Sequence, residues 1–158
     1  MVKKDLIFSM TDYNFLSHKI FPGFDFKKIN SRRNFFHLYF CGRKGHRVQV
    51  ENKTYFSIPT ERIFNVHPKV RRSALVALKP RGEVAIVIEP QPQYWPSGSI
   101  ERSAFTAELL ALGEKSPITK DIKLFFFHRS FPVDARHNAK IFRDRLGTWA
   151  SEQRKKFE

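Results

Sequence analysis

Ala74-Leu75-Val76-Ala77-Leu78 and Val84-Ala85-Ile86-Val87-Ile88 stand on either side of Lys79-Pro80-Arg81-Gly82-Glu83. Each run is apolar without interruption and too short for a core helix. Pro80 and Gly82 between them are turn residues, so the stretch reads as two adjacent buried strands. A third strong strand is read from Ile122 to Phe127. Between the second and third strands, Phe105, Leu109 and Leu112 stand at i, i+4 and i+7, the single stripe of a helix that packs on a sheet. Ser99 is placed to cap that helix and Gly113 to end it. Phe142, Leu146 and Trp149 repeat the spacing on a final helix to about Lys155. Gly147 within it costs roughly 1 kcal/mol relative to alanine.

Working back from the opening stretch, Pro59 suits the first position of a helix, with Ile63, Phe64 and Val66 on its apolar side and Pro68 as its stop. Arg47 to Val50 and Thr54 to Ser57 pair as a hairpin across Glu51-Asn52-Lys53. Phe35 to Cys41 is an aromatic-rich strand, interrupted by Gly42-Arg43-Lys44-Gly45. The order predicts an α+β domain: a small sheet and a hairpin, covered by about three helices. Before about Asn34 no period emerges, in spite of Phe8, Tyr13, Phe15, Phe21, Phe24 and Phe26. Residues 1–37 are left as an unassigned N-terminal arm, with residues 1–34 expected to be the least ordered part. Residues 38–158 are read as the domain.

Composition narrows the classes. The chain has 158 residues, 41% of them hydrophobic, enough for one domain with a core and too apolar for a disordered chain. Cys41 is the single cysteine. It excludes an intrachain disulfide, fits a reducing cytoplasm and reads as a buried, inert thiol. No apolar run approaches the roughly 18 residues of a membrane span, and the N-terminus lacks the apolar centre of a signal peptide. A cytoplasmic location is expected. The net charge of +14 favours anionic partners. It is spread along the chain without a block of like charges, and no nucleic-acid-binding motif accompanies it. A basic module for nucleic acid or another anion is therefore the reading from a different class, without sequence-specific recognition. The phosphate-loop, nucleophile-elbow and dinucleotide-binding glycine patterns are all missing. The histidines, His18, His37, His46, His67, His128 and His137, form neither an i, i+4 pair nor a cluster with Cys41, so no metal site is expected. Trp95, in a proline-rich loop, reads as a cover over the core.

Three segments occur in order. The first is Cys41-Gly42-Arg43-Lys44-Gly45-His46-Arg47. The second is Ile58-Pro59-Thr60-Glu61, followed by Val66-His67-Pro68-Lys69-Val70 and the strand at Ala74. The third is Pro132-Val133-Asp134-Ala135-Arg136-His137-Asn138-Ala139-Lys140-Ile141. The series resembles the C-terminal subdomain of the adenylate-forming superfamily. It is most similar to the fatty-acyl-CoA-ligase-like branch that contains the olefin β-lactone synthetases. The resemblance covers roughly residues 38–150.

The resemblance implies a lid that swings over an ATP and carboxylate site held by a larger N-terminal adenylation domain, the expected partner. It implies Lys140 as the catalytic lysine, Arg43 as the nucleotide-facing arginine and Gly45 as the hinge. A lysine ammonium is a compact charge suited to the oxygens that crowd together when a carboxylate attacks a phosphate. The implied substrates are a small carboxylate and ATP with magnesium in the complete enzyme. Gly45 stands where the family commonly has Asp or Lys, and Ala139 where it has Gly. Glu51-Asn52-Lys53-Thr54 replaces the glycine-rich hairpin that lines the pantetheine tunnel of CoA ligases, which speaks against CoA as a cofactor. The ribose and phosphate motifs that precede the hinge in the family are missing before Gly42. The chain alone is therefore expected to be inactive: a lid that works with a separately encoded domain, or an inactive remnant of a split gene.

Overall fold

The computed structural model describes residues 7–8, 24–30, 36–80, 82–134 and 140–156. The architecture among them is α+β. β1 (Ile7–Phe8), β2 (Phe24–Asn30) and β3 (Phe36–Arg43) form an antiparallel sheet in the order β1-β3-β2. β4 (Val48–Val50) and β5 (Lys53–Tyr55) form a hairpin. α1 (Ser57–Asn65) leads to β6 (Val70–Leu78) and β7 (Glu83–Pro90), an antiparallel pair. α2 (Ser99–Glu114) crosses over to β8 (Leu124–Phe127), which lies parallel to β7. α3 (Arg143–Lys155) follows.

The sheet β6-β7-β8 is buried on both faces, which is why its strands read as unbroken apolar runs. Alternation along each strand splits the side chains between two cores. Leu75, Ile86, Ile88 and the rings of Phe125 and Phe127 face α1 and α2, where Phe64, Phe105 and Leu109 meet them. Ala74, Val76, Ala85, Val87 and Phe126 face α3, where Leu146 and Ala150 meet them. The small alanines on that face let α3 lie close. Gly147 carries this further: a β-carbon there would come within 3.1 Å of the Ala77 carbonyl oxygen.

Several boundaries differ from the sequence reading. Gly98, not Ser99, is the N-cap of α2, and the Glu101 carboxylate accepts the Ser97 N–H there at 2.6 Å. Gly113 lies within α2 rather than ending it, because its missing side chain makes room for the Phe64 ring. Pro59 takes the third position of α1. The β4–β5 turn shortens to Glu51 and Asn52, with Glu51 at φ 50° and Lys53 already paired with Val50. Gly42 and Arg43 do not interrupt β3 but continue it, paired with Asp25 and Phe24. Gly42 does so at φ 115°, where a β-carbon would strike the Ser57 hydroxyl at 2.5 Å, so β3 passes over the start of α1 only because this residue is glycine.

The sequence had no regular element for residues 24–30, yet they form β2 along the whole of β3. The alternation of β2, Phe24-Asp25-Phe26-Lys27, is short and crossed by a register shift between Asp25 and Phe26, so pairing with β3 reveals the strand better than its own pattern does. The rest of the expectation for residues 1–34 lies largely outside the described residues, as does the segment 135–139 of the third motif. Among the described residues no helix is long and apolar enough to cross a membrane.

Candidate functional site

Lys140 lies in the connection between β8 and α3, three residues before Arg143, the first residue of α3. The Phe142 N–H donates to the Pro132 carbonyl at 2.9 Å, Val133 and Ile141 pair as an antiparallel bridge, and the Asp134 N–H donates to the Lys140 carbonyl at 3.0 Å. Lys140 thus lies at this paired base, with an exposed side chain that makes no ion pair to a described residue.

Each end of the loop meets a buried carboxylate. Glu89, at the end of β7, is fully buried. It accepts the Phe131 N–H at 2.7 Å and is balanced by Arg71 at 3.0 Å and Arg72 at 2.8 Å, both from β6. Glu61 on α1 takes the Arg143 guanidinium on both oxygens, at 2.6 and 3.0 Å, and accepts the Leu75 N–H at 2.8 Å. Burial raises the Glu61 pKa above the ordinary carboxylate value, against the opposing pull of Arg143 and the Leu75 N–H. The sequence reading quoted Glu61 and His46 inside motifs without giving either a role there, and did not single out Glu89 or Arg143. Its available signal was the placement of Glu89 directly after an apolar run, where only a paired charge is tolerated.

The segment read as nucleotide-facing and hinge lies beside this loop. Arg43 ends β3, and Lys44–His46 is a single 3-10 turn. Gly45 has open space around its α-carbon and no positive φ, so nothing local demands a glycine there. His46 reports how the segments converge. Burial, then the charges of Arg143, Arg43 and Lys140, push its pKa below 6.5, with Asp144 opposing. Between this turn and the start of α3 runs a cleft of about 120 Å³, lined by Gly45, His46, Arg47, Lys79, Arg143 and Asp144. The structure therefore gathers Arg43, Gly45 and Lys140 on one side of the domain, on a surface rich in positive charge.

Elsewhere, Cys41 is buried as expected. Trp95 is half-buried, and the Arg129 guanidinium sits 4.5 Å over its ring. Among the described residues no group of His, Cys, Asp and Glu fits a metal ion.

No protein-family model matches the chain. The olefin β-lactone synthetase of Xanthomonas campestris pv. campestris is 43% identical over 122 residues, which are 74% of this chain and 21% of that protein. The chain is thus a homologue of part of an olefin β-lactone synthetase. The olefin β-lactone synthetase of Stenotrophomonas maltophilia is 34% identical over 119 residues, again 21% of its length. The chain thus spans about a fifth of the curated relatives it matches. The fold agrees. An anthranilate CoA ligase in complex with anthranoyl-AMP superposes with a TM-score of 0.63 at 19% identity, over 82% of this chain and 24% of that one. The amide bond synthetase McbA from Marinactinospora thermotolerans gives 0.57 at 21% identity, over 77% and 23%. A share of this size in an adenylate-forming ligase is consistent with a C-terminal portion.

Proposed function

We propose that this chain is the lid of an AMP-forming, carboxylate-activating ligase, with Lys140 as its catalytic lysine, Arg43 facing the nucleotide and Gly45 as the hinge. The observation that carries the reading is the 43% identity to an olefin β-lactone synthetase, confined to about a fifth of that enzyme. The remaining four-fifths of such an enzyme is the partner this reading needs. In the reaction, a carboxylate oxygen of a fatty acid or β-hydroxy acid attacks the α-phosphorus of ATP, an acyl-adenylate forms and pyrophosphate leaves. Lys140 places its ammonium against the negative oxygens of that step, and an exposed lysine on a braced loop suits delivery of charge when a lid closes. Gly45, glycine without a local steric need, suits a hinge. Magnesium, usually held by one or two carboxylates together with substrate phosphates, would come with ATP on the partner domain.

The test replaces the corresponding fifth of the Xanthomonas relative with this chain and follows ATP–pyrophosphate exchange. The chain alone shows no exchange, the graft restores it, and Lys140→Ala lowers it by about 10²–10³. Exchange by the chain alone, or a graft indifferent to Lys140→Ala, would sink the reading.

A further inference from the structure

We propose that Glu61 and Glu89 are positioning residues that fix the two feet of the Lys140 loop and thereby set where the lysine is carried; the proposal rests on the reading of Lys140 as catalytic. The N-terminal foot is held through its backbone, Phe131 N–H to the Glu89 carboxylate at 2.7 Å. The C-terminal foot is held through a forked pair, Arg143 to both oxygens of Glu61. A fork fixes an angle as well as a distance, which a single contact or an apolar packing does not.

Both braces are tied to one strand, β6. Glu89 is clasped by Arg71 and Arg72 of β6, and Glu61 accepts the N–H of Leu75, also on β6. The antiparallel bridge of Val133 and Ile141 and the bond from Phe142 to Pro132 keep the feet together. Lys140 precedes Arg143 by three residues, so its α-carbon stays within about 11 Å of the braced position even at full extension. An apolar contact at either foot would serve stability as well as a buried ion pair does. The carboxylates are what give the loop base a defined orientation, while the lysine beyond it stays exposed.

The experiment is a double-mutant cycle in the grafted enzyme, with Lys140→Ala, Glu61→Gln and their combination. Glu61→Gln is expected to lower the rate of adenylation about tenfold or more at unchanged KM for ATP, and to cost nothing further once Lys140 is alanine. Glu89→Gln is expected to behave in the same way once rates are normalised to the folded fraction, which this variant lowers. In the free chain, amide exchange at Asp134 and Phe142 is expected to rise in Glu61→Gln while Val87 stays protected. An equal loss in both backgrounds, or none, would overturn the proposal and leave the role of Lys140 standing. Indifference to Lys140→Ala would instead remove the reading beneath it. Arg143→Lys keeps the charge and loses the fork, so it is read in the same way if Glu61→Gln does not fold. Failure of both to fold would make the pair purely structural and also overturn the proposal.

Discussion

Gly147 on α3 lies against Ala77 on β6 so closely that a β-carbon at Gly147 would stand 3.1 Å from the Ala77 carbonyl oxygen. The oxygen belongs to the paired backbone of β6, and Ser151 fixes the helix locally by donating its hydroxyl to the Gly147 carbonyl at 2.7 Å. Helix propensity alone gives Gly147→Ala a gain of about 1 kcal/mol. Overpacking against an immobile backbone costs about 1–3 kcal/mol. The variant is expected to melt at or below the parent temperature. A clear rise in thermal midpoint would show that α3 shifts away from β6 without penalty.

Glu89 supplies the second prediction. Its carboxylate is fully buried and satisfies Arg71, Arg72 and the Phe131 N–H at once. Removing one member of such a set leaves the others without their counter-charge, at a cost of about 3–5 kcal/mol. Glu89→Gln in the free chain should lose stability on that scale in urea titration. A loss below about 1 kcal/mol would show that the arginines find other partners.

His46 and His128 predict the response to acid. Burial lowers both below 6.5, helped at His46 by Arg143, Arg43 and Lys140, and opposed at His128 by the Ser130 N–H and Glu89. A lowered histidine pKa means that the folded state binds the proton less tightly than the unfolded state. Their contribution is therefore fully present above pH 6.5 and is lost as the pH falls through the lowered values. Thermal midpoints should drop on going from neutral pH to about 5.5, and His46→Gln with His128→Gln should flatten that drop. An identical pH profile in the double variant would contradict the assignment.

The charge of +14 makes its own prediction. Duplex DNA of any sequence should associate weakly at low salt and be released near physiological salt, as counterion release requires of non-specific phosphate contacts. Tight binding to one sequence that survives such salt would favour the nucleic-acid reading over the lid.

The exposed pair of Lys53 and Asp121 ties the β4–β5 hairpin to the segment before β8. Exposed pairs contribute little to stability, because water screens them and two long side chains must be ordered. Lys53→Ala should thus leave urea stability almost unchanged, and a large loss would show that the hairpin is held by this pair alone.

The sequence by itself determined the elements that lie against the buried sheet. Runs such as Val84–Ile88 and stripes such as Phe105 and Leu109 state their own burial, because a side chain's period reports the face it must hide. It also determined the kinship, since Lys140 and the motif around it lie in one continuous stretch. Tertiary structure decided what depends on partners distant in sequence. β2 is revealed as a strand by its pairing with β3. Gly42 and Gly147 are needed only because α1 and β6 pass so near. The meeting of Glu61 with Arg143 joins residues 82 positions apart, and that of Glu89 with Phe131 joins residues 42 apart. No local pattern encodes either. The apolar run before Glu89 signals that its charge must be paired, but only the fold settles which residues pair with it.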